Sequence, residues 1–175
     1  MGGATRAYTM ECARLLPCLL AILALVAVPL AAAVTLTPHE EAVNNAIAKG
    51  VAYLKTVQAA DGSFESPYRV GVTAGFVLAL VHGGVPASDP SNVKAVNFLL
   101  SRVQADGSIW WSAFEKVYET SLAMMALDAV GVQPATIAGA ADYLLKAQWD
   151  EKWGIAPGDW RYGGFAYYDP NARPD

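Results

Sequence analysis

Apolar residues recur at helical spacing along most of the chain, in two styles. Val43, Ile47, Val51, Leu54 and Val57 fall at intervals of three or four, the stripe of an amphipathic helix. Phe76, Val77, Leu78, Leu80 and Val81 form a nearly continuous block, which marks a helix that is enclosed or lines a dry cavity. Helices are predicted over 38–58, 71–82, 90–104, 117–130 and 134–148. Thr37-Pro38-His39-Glu40 combines an N-cap, a proline in the first turn and a glutamate three residues after the cap, all of which supply or tolerate the unpaired amides of a helix start. Asp89-Pro90 opens the third helix in the same way, and Pro134 opens the fifth. Asp-Gly turns are expected to stop the first helix of each pair, because glycine accepts the positive φ that ends a helix. The fold class is all-α, with amphipathic outer helices alternating with more apolar inner ones.

The pattern is an internal repeat. Tyr53-Leu54, Phe98-Leu99 and Tyr143-Leu144 stand 45 residues apart, and each aromatic is followed after five or six positions by a glutamine: Gln58, Gln104, Gln148. Asp61-Gly62-Ser63 and Asp106-Gly107-Ser108 follow the first two, trailed by Phe64 and by Ile109-Trp110-Trp111. In the third copy the glycine-aromatic pair is read late, at Gly158-Asp159-Trp160. Thr73 to Leu80 matches Thr120 to Leu127 at an offset of 47, and each stretch runs into glycine, Gly83-Gly84 or Gly131. Each unit is therefore two helices joined by a turn.

Composition changes this picture mainly at the N-terminus. Arg6 and Arg14 precede an apolar run from Leu15 to Val34 that ends in Ala31-Ala32-Ala33, the layout of a secretory signal peptide cleaved after Ala33. A membrane anchor is the alternative, since twenty apolar residues just span a bilayer. Both cysteines, Cys12 and Cys18, lie in this segment, so residues 34–175 offer no disulfide framework and no thiolate. The expected location is outside the cytoplasm. The whole chain carries 12 basic and 16 acidic residues, net −4, and removing residues 1–33 makes that −5. This balance argues against a nucleic-acid partner.

The motifs of residues 40–175 resemble the squalene–hopene cyclase and protein prenyltransferase β-subunit superfamily, with its prenyltransferase and squalene oxidase repeat. Its pattern runs basic residue, small residue, aromatic, aliphatics, Gln, then Gly-x-aromatic. Lys49-Gly50 through Tyr53-Leu54, Gln58, Gly62 and Phe64 follows it nearly throughout. Lys94-Ala95 through Phe98-Leu99, Gln104, Gly107 and Ile109 follows it with Ile109 or Trp110 in the aromatic slot. The resemblance implies an α/α toroid, an inner ring of helices wrapped by an outer one, of which this chain holds a part of about two and a half hairpins, incomplete at the C-terminus. It implies that each repeat glutamine packs on its aromatic and meets unpaired amides at a neighbouring helix N-terminus. Gln58, Gln104, Gln148, Gly62, Gly107 and Trp110 are thus read as structural. An uncovered apolar flank at the open end predicts self-association.

Candidate chemistry is sparse. The acid of the cyclases is an Asp-x-Asp-Asp run, which needs a carboxyl kept protonated by its neighbours, and no such run is present. The zinc set of the prenyltransferases needs Asp, Cys and His together, whereas residues 34–175 offer no cysteine and only His39 and His82, both at helix ends. No metal and no cofactor is implied. Glu119 beside Tyr118 opens an inner helix. It is the one candidate proton donor, or else a favourable acid at a helix N-terminus. Ser63, Ser108 and Ser112 have no histidine near them in sequence for a hydrolase triad, and Gly83-Gly84 ends a helix where a phosphate loop would open one. The segment Trp149 to Tyr168 is rich in aromatics. Tyr118, together with Trp160, Tyr162 and Phe165 of this segment, is a candidate contact for an apolar, isoprenoid or carbohydrate ligand. The alternative is an expanded repeat turn that packs against a neighbour. Two functions follow: an exported, non-catalytic binding or scaffold repeat protein, or part of a terpenoid cyclase or prenyltransferase-type enzyme acting on isoprenoids.

Overall fold

A computed structural model describes residues 36–167. The leader read over 1–33, its two cysteines, and the chain from Tyr168 onward lie outside the described residues. Residues 42–167 belong to one compact unit and residues 36–41 to another.

The described chain is all helical. Five α-helices follow one another: α1 (Pro38–Thr56), α2 (Arg69–His82), α3 (Pro90–Leu100), α4 (Lys116–Ala129) and α5 (Pro134–Ala147). Single 3-10 turns precede α4 at Ala113–Glu115 and follow α5 at Glu151–Trp153. One isolated bridge pairs Val103 with Ile109, and the described residues contain no strand. None of these helices is long and apolar enough to cross a membrane.

The helix starts form where the side-chain caps supply acceptors. Thr37 Oγ1 accepts from Glu40 N–H at 3.3 Å while the Glu40 carboxylate takes the Thr37 N–H at 2.7 Å, a reciprocal capping box. Asp89 caps α3 by accepting from Ser91 N–H at 2.9 Å. The inner helices stop at glycines with positive φ, Gly84 at 82° and Gly131 at 67°, conformations that cost a side-chain-bearing residue more than glycine. The first helices of the pairs do not stop at their Asp-Gly turns. α1 ends at Thr56 and α3 at Leu100, several residues before Gly62 and Gly107. The carbonyls of the last turn are met instead by tight bonds such as Arg102 N–H to Leu99 O at 3.0 Å.

Packing follows the repeat. α2 lies chiefly against α4, α3 packs on α2, and α5 packs on α4. The more apolar helices are thus neighbours, each backed by the amphipathic helix that follows it. Leu80, Leu99, Ile109 and Leu127 are fully buried in this core. Each such side chain contributes about 1.5–3 kcal/mol through removal from water. The inner helices are not apolar-enclosed all round, since Val72 on α2 and Met125 on α4 are exposed.

α1 departs from the other outer helices. It has no buried residue; only Val51 and Leu54 rest against the core. Tyr53 is 66% exposed whereas its counterparts Phe98 and Tyr143 are buried. The repeated aromatics therefore do not share one environment. Phe98 is covered by Trp111, their ring centroids 6.2 Å apart, while the residue 45 positions before Trp111 is Ser66, which brings no ring to Tyr53. Lys55 Nζ to Asp89 Oδ2, at 2.6 Å, ties the end of α1 to α3.

Candidate functional site

The turn after each outer helix is built alike. Ala59 N–H donates to Ser63 O at 2.9 Å, Gln104 N–H to Ser108 O at 2.8 Å, and Trp149 N–H to Gly164 O at 2.9 Å. Gly62, Gly107 and Gly163 sit at the matching corner with φ of 89°, 87° and 81°. The third copy of Gly-x-aromatic is consequently Gly163-Gly164-Phe165, and the reading at Gly158-Asp159-Trp160 is corrected. Two residues separate Gln104 from Gly107, but thirteen separate Trp149 from Gly163. Gly158 and Trp160 belong to that insertion, which hides the equivalence from a fixed-spacing search.

The first two glycines are required by contact as well as by φ. A β-carbon on Gly62 would lie 2.3 Å from Lys94 O, and one on Gly107 would lie 2.4 Å from Gly139 O. Each turn therefore presses on the backbone of the next outer helix, at residues 45 positions apart. In both turns the aspartate accepts from the serine two residues on, Ser63 N–H to Asp61 and Ser108 N–H to Asp106 at 3.0 Å each. The Ser63 hydroxyl, then its N–H, hold the Asp61 carboxyl below its ordinary range.

The glutamines act through their NH2 groups, donating to carbonyls rather than meeting unpaired amides. Gln58 Nε2 donates to Gly62 O and to Ser91 O, both at 3.0 Å, so it links its own turn to the first turn of α3. Gln148 Nε2 donates to Gly163 O at 2.9 Å, which matches the first of those bonds. Gln104 is out of register by one residue: its backbone stands where Ala59 and Trp149 stand, and its side chain reaches Arg102 O at 2.7 Å. The slot of Phe64 is filled by the fully buried Ile109, and Trp110 is only half-buried. Trp110 Nε1 donates to Ser108 Oγ at 2.9 Å, and the Lys116 ammonium lies 5.4 Å from its ring.

Glu119 is fully buried. Its Oε1 accepts from Gly71 N–H at 3.0 Å, and its Oε2 accepts from Trp111 N–H at 2.7 Å and Ser112 N–H at 3.1 Å. Gly71 is the third residue of α2, where an N–H has no intrahelical partner. The carboxylate therefore joins the start of α2 to the loop before α4, with both oxygens occupied as acceptors. Gly71 is closely packed at this point, since a β-carbon there would lie 3.1 Å from Tyr118 Cε1. Next to Glu119, the Thr120 hydroxyl accepts from Ile109 N–H at 2.9 Å. Above them the Trp111 indole is flanked by two guanidinium groups, Arg69 at 4.7 Å and Arg102 at 4.5 Å from its centroid, a cation–π arrangement that sequence spacing could not show.

The four candidate ligand contacts have different surroundings. Tyr118 stacks on Tyr167, with centroids 4.9 Å apart. Among the described residues no ring contact joins it to Trp160, Tyr162 or Phe165. Trp160 is 82% exposed. The Tyr162 hydroxyl donates to Glu151 at 3.1 Å, and that bond raises its pKa above the ordinary phenol value. Phe165 stands at the repeat position of Phe64 and Ile109 but is exposed where they are buried. The insertion has its own small core of Trp149, Ile155 and Ala166, and the Arg161–Asp159 pair at 2.6 Å braces it. His39 and His82 are exposed, and no group of three or more His, Cys, Asp or Glu among the described residues could hold a metal ion.

No family model matches the chain. Among curated proteins, a probable squalene–hopene cyclase of Sinorhizobium fredii (strain NBRC 101917 / NGR234) is 30% identical over 155 residues, covering 73% of this chain and 24% of that protein. The chain thus spans about a quarter of the length of the curated relative it matches. Its described residues form an all-helical repeat, and the chain has distant similarity to a squalene–hopene cyclase.

Proposed function

We propose that residues 34–175 form an exported, non-catalytic binding or scaffold module of the cyclase and prenyltransferase-like repeat type, part of an α/α toroid. Support for the repeat type comes from the distant similarity and from the matching turn geometry at Ala59, Gln104 and Trp149. Support for the non-catalytic reading is one observation: Glu119, the single candidate acid, has both carboxylate oxygens taken by three backbone N–H groups. A proton donor needs a hydrogen aimed at its substrate, and an oxygen that accepts two N–H bonds does not offer one. In this reading the module holds an apolar or isoprenoid molecule at the Tyr118 end of the inner helices, next to the aromatic insertion.

The second reading is an enzyme of the terpenoid cyclase type, favoured by the activity in the relative's name. In it, aromatic faces would stabilise carbocations. Incubating the full chain with squalene and analysing the products by mass spectrometry separates the two. The binding module returns squalene unchanged. A cyclised product that disappears on Glu119→Gln, with the variant still folded, would overturn it.

A further inference from the structure

A second feature sits at the opposite end of α4 from Tyr118. A cleft of about 220 Å³ lies between α3 and the α4–α5 connection, with Val96, Leu100, Val130 and Val132 as apolar walls and Asn97 and Gln133 as its polar residues. At the equivalent junction one unit earlier the facing residues are in contact. There Val51 packs on Gly83 so closely that a β-carbon on Gly83 would lie 2.7 Å from it. Lys55 pairs with Asp89 at 2.6 Å alongside.

The cleft arises where the second unit departs from the first at these positions. Val96 and Leu100 stand 45 residues after Val51 and Lys55. Gly83 and Val130 are the C-cap residues of the two inner helices, and Asp89 and Gln133 are the N-cap residues before Pro90 and Pro134. Val130 stands where the first unit has its glycine cap, and it lines the cleft together with Val96. Leu100 and Gln133 in place of the ion pair leave the opening unsealed. Gln133 makes no capping bond and holds a left-handed backbone at φ 56°, which costs a non-glycine residue of order 1 kcal/mol. No ionisable side chain lines the cleft. The carboxamides of Asn97 and Gln133 make no hydrogen bond to other described residues, so each is able both to donate and to accept.

We infer that this cleft binds an uncharged aliphatic ligand that ends in a hydroxyl, the chain against the valines and Leu100 and the hydroxyl on Asn97 or Gln133. The volume corresponds to roughly seven waters, which suits a linear alcohol of about eight carbons. A carboxylate or ammonium head would enter a site that holds no countercharge. The inference is independent of the ligand proposed at Tyr118.

The test is methyl NMR on the full chain, titrated with 1-octanol. Saturable shifts confined to Val93, Val96, Leu100, Val130 and Val132 are expected. Octanoate, with the same chain length and a charged head, is expected to bind at least tenfold more weakly. The double substitution Leu100→Lys with Gln133→Asp rebuilds the ion pair of the first junction and should weaken octanol at least tenfold. If circular dichroism shows that this variant is unfolded, Val96→Phe fills the cleft directly and must give the same loss. The inference is overturned by the absence of saturable shifts up to the solubility of the alcohol, by equal binding of octanoate, by a folded variant that binds as the parent does, or by shifts centred on Tyr118 and the 149–167 loop.

Discussion

Gly107 touches Gly139: a β-carbon on Gly107 would sit 2.4 Å from the Gly139 carbonyl oxygen, and its φ is 87°. Two glycines thus let the turn after α3 lie directly on α5, as Gly62 lets the turn after α1 lie on the backbone of Lys94 in α3. Gly107→Ala should destabilise the protein by at least about 2 kcal/mol, from backbone strain plus displacement of α5. Gly131→Ala, at φ 67° with open space around its β-carbon, should cost only about 1 kcal/mol. Urea unfolding of the two variants checks the difference.

Glu119→Gln keeps the shape of the side chain but puts an NH2 group where an oxygen accepted an N–H. At least one of the three buried amides then loses its acceptor, a cost of about 1–3 kcal/mol, and more where the lost bond was to a charge. Thermal unfolding should show the loss whether or not any ligand is present. A variant as stable as the parent would remove the linking role assigned to Glu119.

Gln58→Ala and Gln104→Ala separate the two glutamine environments. Gln58 joins its turn to α3 through two bonds and Gln104 makes one local bond. The expected costs are about 1–2 kcal/mol for Gln58 and about 0.5–1 kcal/mol for Gln104, again read from urea unfolding.

How much of this was legible in the sequence depends on what each feature needs. Helix starts are encoded locally, by Thr37, Asp89 and the prolines after them, and they fall within about two residues of the expected positions. Helix ends were less legible, because the chain leaves α3 at Leu100 through short bonds and reaches its glycine only at Gly107. The third turn is not legible at fixed spacing because an insertion separates Trp149 from Gly163, and only the backbone bonds reveal which glycine is equivalent. The exposure of Tyr53 depends on a covering ring from a distant loop, which Ser66 does not supply. The surroundings of Glu119 were hidden for a related reason: two of its donors come from a nearby loop, and the third lies 48 residues away at Gly71.

Acid titration probes the insertion. Side-chain hydrogen bonds from Arg161, then its backbone N–H, lower the Asp159 carboxyl from 3.8 to about 2. A lowered folded pKa stabilises the folded form above the unfolded value of 3.8, and that contribution is lost as pH falls through about 2. Carboxyl carbon NMR should place the Asp159 midpoint near 2, and Arg161→Ala should return it to the ordinary range. The pair is partly exposed, so added salt should move the midpoint upward.

Three stretches of the chain share one turn, which follows α1, α3 and α5. Scalar couplings across hydrogen bonds, measured by NMR on labelled protein, test it most directly. Couplings are expected from Ala59 N–H to Ser63 carbonyl, from Gln104 N–H to Ser108 carbonyl and from Trp149 N–H to Gly164 carbonyl. Coupling of Trp149 N–H to a carbonyl near Gly158, or to none, would contradict it.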